Sequence, residues 1–178
     1  MQTINSEFQE IQGFRIRYIW ALVIAFNLLF LYAIIQQVFV GTPFGTKPAP
    51  DWVLFLVQFF TLSVLYLLFS IRLKTSINAN GIYYRFYPFQ MKTTHIEWNE
   101  LSDAYMREYK SFYEYGGFGI RVGANTNSRA INTSASSVIG LQLEFKDGRL
   151  LMIGTKKPHE LSVVIEKYVV AGRIRWGA

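Results

Sequence analysis

Two long, uncharged apolar segments in the first half of the chain constrain its fold more than any other feature. They span residues 19–40 and 52–71 and contain no Asp, Glu, Lys, Arg or His. At about 1.5 Å per residue, a helix of either length crosses a hydrocarbon core of about 30 Å. Neither segment has the polar face that a helix of a soluble bundle requires. We therefore predict two transmembrane helices, the first being too long for the apolar part of a cleaved signal peptide.

The charges around these segments predict how they are oriented in the membrane. The connector, residues 41–51, is rich in Pro and Gly and has Lys47 as its one cation. Four cations flank the outer ends of the two segments: Arg15, Arg17, Arg72 and Lys74. Because cytoplasmic flanks have the excess of Lys and Arg, we predict a multi-pass protein of the plasma (inner) membrane with both termini in the cytoplasm.

Four uncharged polar side chains interrupt the spans: Asn27, Gln36, Gln37 and Gln58. Since the spans contain no ionisable residue that would mark an ion or proton pathway, we interpret these side chains as interhelical hydrogen-bonding groups. A polar transport path is the alternative interpretation. The same lack of ionisable residues argues against a channel or a transporter.

The segment ahead of the first span, residues 1–18, has an apolar pattern of its own. Ile4, Phe8, Ile11 and Phe14 follow one another at intervals of four, three and three residues. This spacing is typical of an amphipathic helix with one apolar face. We therefore predict that residues 1–18 form a helix that lies along the cytoplasmic interface of the membrane.

Composition and charge exclude several classes of function. The 178 residues include no Cys, which excludes disulfides, thiolate catalysis, zinc-thiolate sites and Cys-ligated iron–sulfur clusters. The formal net charge is +6, but the cations are spread along the chain, so we expect no nucleic-acid binding. No paired carboxylates, Ser-His-Asp arrangement or phosphate loop is evident, and we interpret His95 and His159 as structural residues. We predict no catalytic site, no cofactor and no metal.

After Lys74 the pattern changes to short strands and one helix, which predicts a cytoplasmic domain over residues 75–178. Alternating apolar and polar residues predict strands at 75–78, 82–89, 91–98, 101–109, 118–122, 130–133, 138–145 and 150–155. Asn80-Gly81 and Asp147-Gly148 are typical of hairpin turns. An apolar stripe that begins after Pro158 predicts a C-terminal helix that ends at Gly172. We expect an α+β, mainly β fold in which seven of these eight candidate strands form a small barrel or sandwich capped by this helix.

Several short motifs in this domain resemble those of a known family. They are Gly81-Ile82-Tyr83-Tyr84, Ile96-Glu97-Trp98-Asn99-Glu100-Leu101, Gly116-Gly117-Phe118-Gly119-Ile120-Arg121, Leu141-Gln142-Leu143 with Asp147-Gly148, and Lys157-Pro158-His159-Glu160-Leu161. Together they resemble a bacterial pleckstrin-homology-like (PH-like) domain joined to a two-span membrane anchor, over about residues 72–172. The resemblance implies a transmembrane hairpin over residues 19–74, then a seven-stranded split barrel with a C-terminal capping helix, and no enzyme activity. The first hairpin loop, 78–81, lacks the cations of the phosphoinositide-binding eukaryotic members.

An aromatic segment, residues 105–118, is the first candidate contact site. Its candidate residues are Tyr109, Phe112, Tyr113, Tyr115 and Phe118. Aromatic side chains among charged ones suit either a flap at the depth of lipid headgroups or a surface for a protein partner. The alternative is that about half of them fill the domain core. We interpret the glycines at 116, 117 and 119 as a bend or bulge rather than as a phosphate loop.

Four cations form the second candidate contact site: Arg121, Arg129, Lys156 and Lys157. They could converge on an anionic lipid, and the alternative is that they are ordinary solvated charges. We predict a non-enzymatic, membrane-anchored interaction or scaffold module that binds a protein partner, another copy of itself, or lipid. The alternative function is an anionic lipid-binding or membrane-sensing protein.

Overall fold

The computed structural model describes residues 6–14, 16–123, 127–133 and 137–170, and the chain divides into two units. The helical unit consists of residues 15–70. The sheet unit consists of residues 1–14 and 71–178, so it contains chain from both sides of the helices. The sheet domain therefore does not begin at residue 75, as the sequence predicted, but includes the segment ahead of the first helix.

The two apolar segments form helices α1 (Arg17–Ile34) and α2 (Asp51–Ser70), and a π-helical turn at Ile35–Phe39 extends the first. The most apolar window of 18 residues has a mean hydropathy of 2.3 in Arg17–Phe39 and 2.2 in Asp51–Ser70, so both helices are long and apolar enough to cross a membrane. Only 17% and 6% of these windows are buried. Exposed apolar side chains on this scale are unusual for the core helix of a soluble protein.

Polar side chains join α1 to α2. Asn27 is buried and donates to the carbonyl oxygen of Thr61 at 3.3 Å, and Gln58 donates to Asn27 Oδ1 at 3.1 Å. The Thr61 hydroxyl donates to the same Asn27 oxygen at 3.2 Å. These contacts confirm the predicted interhelical bonds for Asn27 and Gln58. Gln37 instead donates to Asp51 Oδ1 at 2.6 Å, where the connector enters α2.

The first sheet has the strand order β1-β2-β3-β4 and is antiparallel throughout. Its strands are β1 (Phe8–Gly13), β2 (Arg72–Asn78), β3 (Gly81–Tyr87) and β4 (Thr94–Glu97). The turn between β2 and β3 uses Ala79 and Asn80, one position earlier than predicted, and the amide of Asn80 donates to the Asn78 side chain at 2.9 Å. Gly81 is needed here because a Cβ would lie 2.1 Å from the Ile96 carbonyl oxygen.

The prediction of an amphipathic helix over residues 1–18 is wrong where the structure describes that segment. β1 pairs with β2 from Phe8↔Ile77 to Gly13↔Arg72. Its buried side chains alternate along the strand, with Phe8, Glu10 and Gln12 inside. The apolar spacing fits a helix, but pairing with β2 satisfies the backbone and leaves Ile11 outside, so tertiary contacts outweigh the local pattern.

The second sheet has the order β5-β8-β9-β7-β6, in which β7 and β9 are parallel and the other pairs antiparallel. Its strands are β5 (Leu101–Lys110), β6 (Gly119–Val122), β7 (Ser128–Asn132), β8 (Ser137–Phe145) and β9 (Leu150–Gly154). A short helix, α3 (Ser111–Tyr115), follows β5, and α4 (Pro158–Val170) follows β9. The predicted helix end at Gly172 lies outside the described residues.

The α+β class is confirmed, but the predicted seven-stranded split barrel is wrong. The described residues contain nine strands in two sheets that share no strand pair. A 3₁₀ turn at Trp98–Glu100 separates β4 from β5, and a capping box between Glu97 and Glu100 stabilises it. Because this turn lies between β4 and β5, the two strands do not pair with each other. β5 therefore begins a second sheet, and the first sheet remains open.

The core of the sheet unit lies between the sheets and α4. Its fully buried apolar side chains include Leu73, Ile77 and Ile82 from the first sheet, Leu141, Leu143 and Ile153 from the second, and Leu161 from α4. The ring of Trp98 stacks on Tyr168 at 4.5 Å, and its indole nitrogen donates to the Asn78 carbonyl at 3.1 Å. The buried stripe of α4 confirms the helix that the sequence predicts after Pro158.

Buried polar contacts join β1 to the second sheet, and we call them the β1 polar bridge. The carboxylate of Glu10 accepts hydrogen bonds from the Thr155 hydroxyl at 2.6 Å and from the Lys156 amide at 2.8 Å. The Gln12 side chain donates to the Gly154 carbonyl at 2.6 Å and accepts from the Thr133 hydroxyl. Glu10 and Gln12 are 5% and 3% exposed, so these bonds form away from water.

We expect Glu10→Leu to destabilise the sheet unit by about 1–3 kcal/mol, because it leaves the buried Thr155 hydroxyl and Lys156 amide without their acceptor. Gln9→Leu introduces the same side chain at the exposed neighbouring position and should change stability by less than about 0.5 kcal/mol. Amide hydrogen exchange in β8 of the full-length protein in detergent measures both effects. Equal exchange rates in the two variants would show that the bridge contributes nothing.

Candidate functional site

The structure divides the predicted aromatic contact residues between core and surface. Tyr109 and Tyr115 are buried in one apolar cluster with Ala130 and Met152, and their ring centroids lie 6.1 Å apart. By contrast, Phe112 is 57% and Tyr113 is 88% exposed on α3. The structure thus places two of the five candidate aromatics, Tyr109 and Tyr115, in the core and leaves Phe112 and Tyr113 on the surface.

Tyr109 belongs to the core on chemical grounds as well. Burial raises the pKa of its phenol to about 12, although Ser111 and Asn132 lie near enough to lower it. A Cβ at Gly140 would lie 2.8 Å from the Tyr109 ring, and one at Gly154 would lie 2.7 Å from its hydroxyl. Two glycines thus make the space in which this ring packs, and Tyr109 stays neutral throughout the physiological pH range.

A run of glycines directs the chain from α3 into β6. The amide of Gly116 donates to the Phe112 carbonyl and that of Gly117 to the Ser111 carbonyl, which ends α3 after a single turn. Gly116, Gly117 and Gly119 have φ values of +69°, +126° and +96°, a region that favours glycine. The predicted bend is confirmed, and it places Phe118 against Phe14, with ring centroids 4.8 Å apart.

An apolar cavity of about 270 Å³ opens beside these two rings, and we call it the apolar cavity. It is lined by Phe14, Ile71, Phe86, Phe89, Phe118, Gly119, Ile120 and Arg121. The Phe86 and Phe89 rings stack at 5.7 Å on one side, whereas β6 provides the other side. Arg121 is the one charged residue of the lining, and its Nε donates to the Phe118 carbonyl at 2.9 Å.

The four predicted lipid-binding cations do not converge. Arg121 is the register partner of Ala130, and Val122 is that of Arg129, so the two arginines point to opposite faces of the sheet. Both lysines lie before α4. The Lys157 ammonium forms an ion pair with Glu160 at 2.8 Å, and that of Lys156 donates to the Gly13 carbonyl at 3.3 Å.

Arg129 lines a second, polar cavity of about 290 Å³ between the two sheets. Arg149 also lines this cavity, but it forms an ion pair with Asp147 at 2.7 Å. Hydrogen bonds from the Arg149 amide and guanidinium lower the pKa of the Asp147 carboxyl. His95 stacks on Tyr83 at 4.2 Å. Glu100 also lines this cavity, so its lining includes residues with charges of both signs.

Sequence reasoning missed four apolar lining residues: Phe14, Ile71, Phe86 and Phe89. Two of them could have been found, because Ile71 is the last residue of the second apolar segment and Phe14 lies five residues before the first, where a charged flank is usual. Phe86 and Phe89 gave no such signal, since an aromatic residue in a strand is ordinary.

A family model matches residues 3–172, nearly the whole chain, and describes a family of unknown function, DUF6141. The chain belongs to DUF6141. No curated protein and no solved structure matches the chain. Among the described residues, no group of three or more His, Asp or Glu side chains could hold a metal ion. The two cavities and the exposed aromatic side chains are the features of this DUF6141 protein that indicate a function.

We expect Tyr109→Ala to destabilise the sheet unit by about 3–5 kcal/mol, because the removed ring leaves a cavity in a packed cluster. Tyr113→Ala removes an equal side chain from the surface and should change stability by less than about 0.5 kcal/mol. Urea unfolding of the full-length protein in detergent, followed by near-ultraviolet circular dichroism, separates the two. A comparable loss of stability in both variants would contradict the division between core and surface.

Proposed function

We propose that the protein is a membrane-anchored, non-enzymatic interaction module whose helices α1 and α2 cross the plasma membrane as a hairpin. The sheet unit then lies in the cytoplasm and binds a protein partner through the exposed aromatic side chains of α3. The observation that supports this most directly is the insertion of both apolar helices between two adjacent strands, β1 and β2.

The insertion favours an even number of membrane crossings. Gly13 and Arg72 are register partners, and such Cα atoms lie about 4.5–5.5 Å apart in an antiparallel pair. The chain thus leaves the sheet and returns to it at one place, and the two helices between these points allow two crossings. Arg17, Arg72 and Lys74 flank this side, whereas Lys47 is the one cation of the connector, which supports a cytoplasmic sheet unit.

The exposed part of α3 supports protein binding. Phe112 and Tyr113 are neighbours in one helical turn, and the Lys110 ammonium lies 5.9 Å from the centre of the Tyr113 ring. Tyr is enriched among the residues that contribute most to protein interfaces, because it buries a large rigid surface at low entropic cost. Large exposed aromatics add nothing to the stability of the sheet unit itself, so binding explains them better than folding does.

We also propose that the sheet unit is a variant of the PH-like fold. The eight strands after the helices, the antiparallel hairpins and the C-terminal helix support this assignment. It differs from the expected form in its open sheets and in β1, which precedes the membrane anchor.

A second candidate function, the binding of anionic lipid, is favoured by a different observation. The apolar cavity has a single cation, Arg121, at its edge, and two of its lining residues adjoin the apolar helices along the chain. A lipid presents an apolar chain and a charged headgroup together.

The absence of native Cys allows a direct test of the topology. Single-Cys variants Lys47→Cys and Lys146→Cys place thiols at exposed positions in the connector and in the β8–β9 turn. We expect a membrane-impermeant maleimide to label Lys47→Cys in intact cells and Lys146→Cys only after lysis. Labelling of both variants before lysis, or extraction of the protein from membranes by alkaline carbonate, would contradict membrane anchoring in this orientation.

A photo-crosslinking amino acid in place of Tyr113 tests the interaction. We expect one protein adduct of defined mass in native membranes, and its loss when the neighbouring Phe112 is changed to Ala. The same amino acid at Val163, which is 56% exposed on α4, is the matched control and should give no such adduct. Adducts with lipid alone would favour the second candidate function, and equal adducts at both positions would contradict a specific surface.

A further inference from the structure

The apolar cavity is the feature of the molecule least explained by folding. Phe14, Ile71 and Phe86 are at most 6% exposed, yet together with β6 they leave about 270 Å³ open. Apolar side chains normally close such a space, and a buried void of roughly 150 Å³ already binds small apolar molecules. The lining is almost wholly apolar, which favours a hydrocarbon ligand over a polar one.

The chain connectivity limits the distance between two lining residues of this cavity and the ends of α1 and α2. Phe14 is three residues before α1 begins at Arg17, and Ile71 directly follows the last residue of α2, Ser70. An extended chain covers at most about 3.6 Å per residue, so the Cα atoms of both residues lie within about 11 Å of a helix end. If the helices cross the bilayer, the backbone at these two lining residues is therefore close to the lipid headgroups.

Arg121 provides the charge that an anionic headgroup requires. Its Nε donates to the Phe118 carbonyl, which holds the side chain beside the cavity. It forms no ion pair with any described acidic residue, in contrast to Arg107, which pairs with Glu114 at 2.8 Å. A guanidinium fixed at one nitrogen still presents its two terminal nitrogens, and this fork suits a phosphate.

Resting on the membrane anchoring proposed above, we propose that the apolar cavity holds an acyl chain of an anionic phospholipid, whose phosphate contacts Arg121. A volume of this size takes part of one acyl chain, so the lipid stays in the cytoplasmic leaflet and bends its chain towards the sheet unit. Such a lipid would bind at the base of the membrane anchor, between residues that adjoin both helices.

The test uses the full-length protein in nanodiscs of phosphatidylcholine and phosphatidylglycerol. A trace of phosphatidylglycerol with a diazirine at the end of one acyl chain is activated by light, and mass spectrometry locates the adducts. We expect adducts in residues 118–121 and, as an internal standard, in α1 and α2. Ile120→Gln, at a side chain 42% exposed on an edge strand, should reduce the adducts in 118–121 without changing those in the helices.

Two matched arginine variants separate a specific site from general attraction to an anionic surface. We expect Arg121→Gln to lower the adducts in residues 118–121 about fivefold relative to those in the helices, a change typical of one cation near a membrane surface. Arg129→Gln removes an exposed arginine from the opposite face of the neighbouring strand and should leave the ratio unchanged. A diazirine phosphatidylcholine should label 118–121 more weakly than the phosphatidylglycerol does.

Three results would overturn the inference. Adducts in α1 and α2 without any in residues 118–121 would show a membrane-anchored protein with no lipid in the cavity. An equal effect of both arginine variants on the adducts in 118–121 would also exclude the lipid site. Adducts in neither the helices nor the cavity would contradict the membrane anchoring itself, so the two failures are distinguishable.

Discussion

The pairing of β1 with β2 is the interaction on which the remaining structure depends. It joins residues 8–13 to residues 72–78 across the whole helical unit, and thereby closes a long loop. Loop closure costs conformational entropy that grows with loop length. The bonds among Asn27, Gln58 and Thr61 reduce this cost, because helices already held together bring the ends of the loop towards each other. The strand pair and the helix pair thus stabilise each other.

The same pairing explains why polar residues are buried in β1. With Phe8 facing the core, the strand period also turns Glu10 and Gln12 inward. Their side chains meet backbone and hydroxyl groups at the end of β9, where Gly154, Thr155 and Lys156 leave the sheet. The side chains of Glu10 and Gln12 therefore both have partners, and the bridge fixes β1 against the second sheet, where apolar packing alone would allow it to slide.

Local sequence predicts the elements that depend on local chemistry. The two apolar helices, the Asp147-Gly148 turn and the stripe of α4 are all present, because length, turn geometry and helical period are properties of short segments. β1 was not predictable in this way, since its partner strand lies beyond both helices. The alternation of side chains along a strand places Tyr109 on one face of β5. Only Gly140 in β8 and Gly154 in β9 leave the space in which its ring packs.

Register decides the chemistry of the cations. Arg121 and Arg129 look equivalent in the sequence. In the structure Arg121 pairs with Ala130, the neighbour of Arg129, so the two arginine side chains point to opposite faces of the sheet. Arg129 then faces a cavity with charges of both signs, whereas Arg121 lies beside an apolar one. The apolar cavity itself depends on the open sheets, because one of its walls is the edge strand β6. A closed barrel would pair that edge and fill the space, so the departure from the expected fold is also what creates the candidate site.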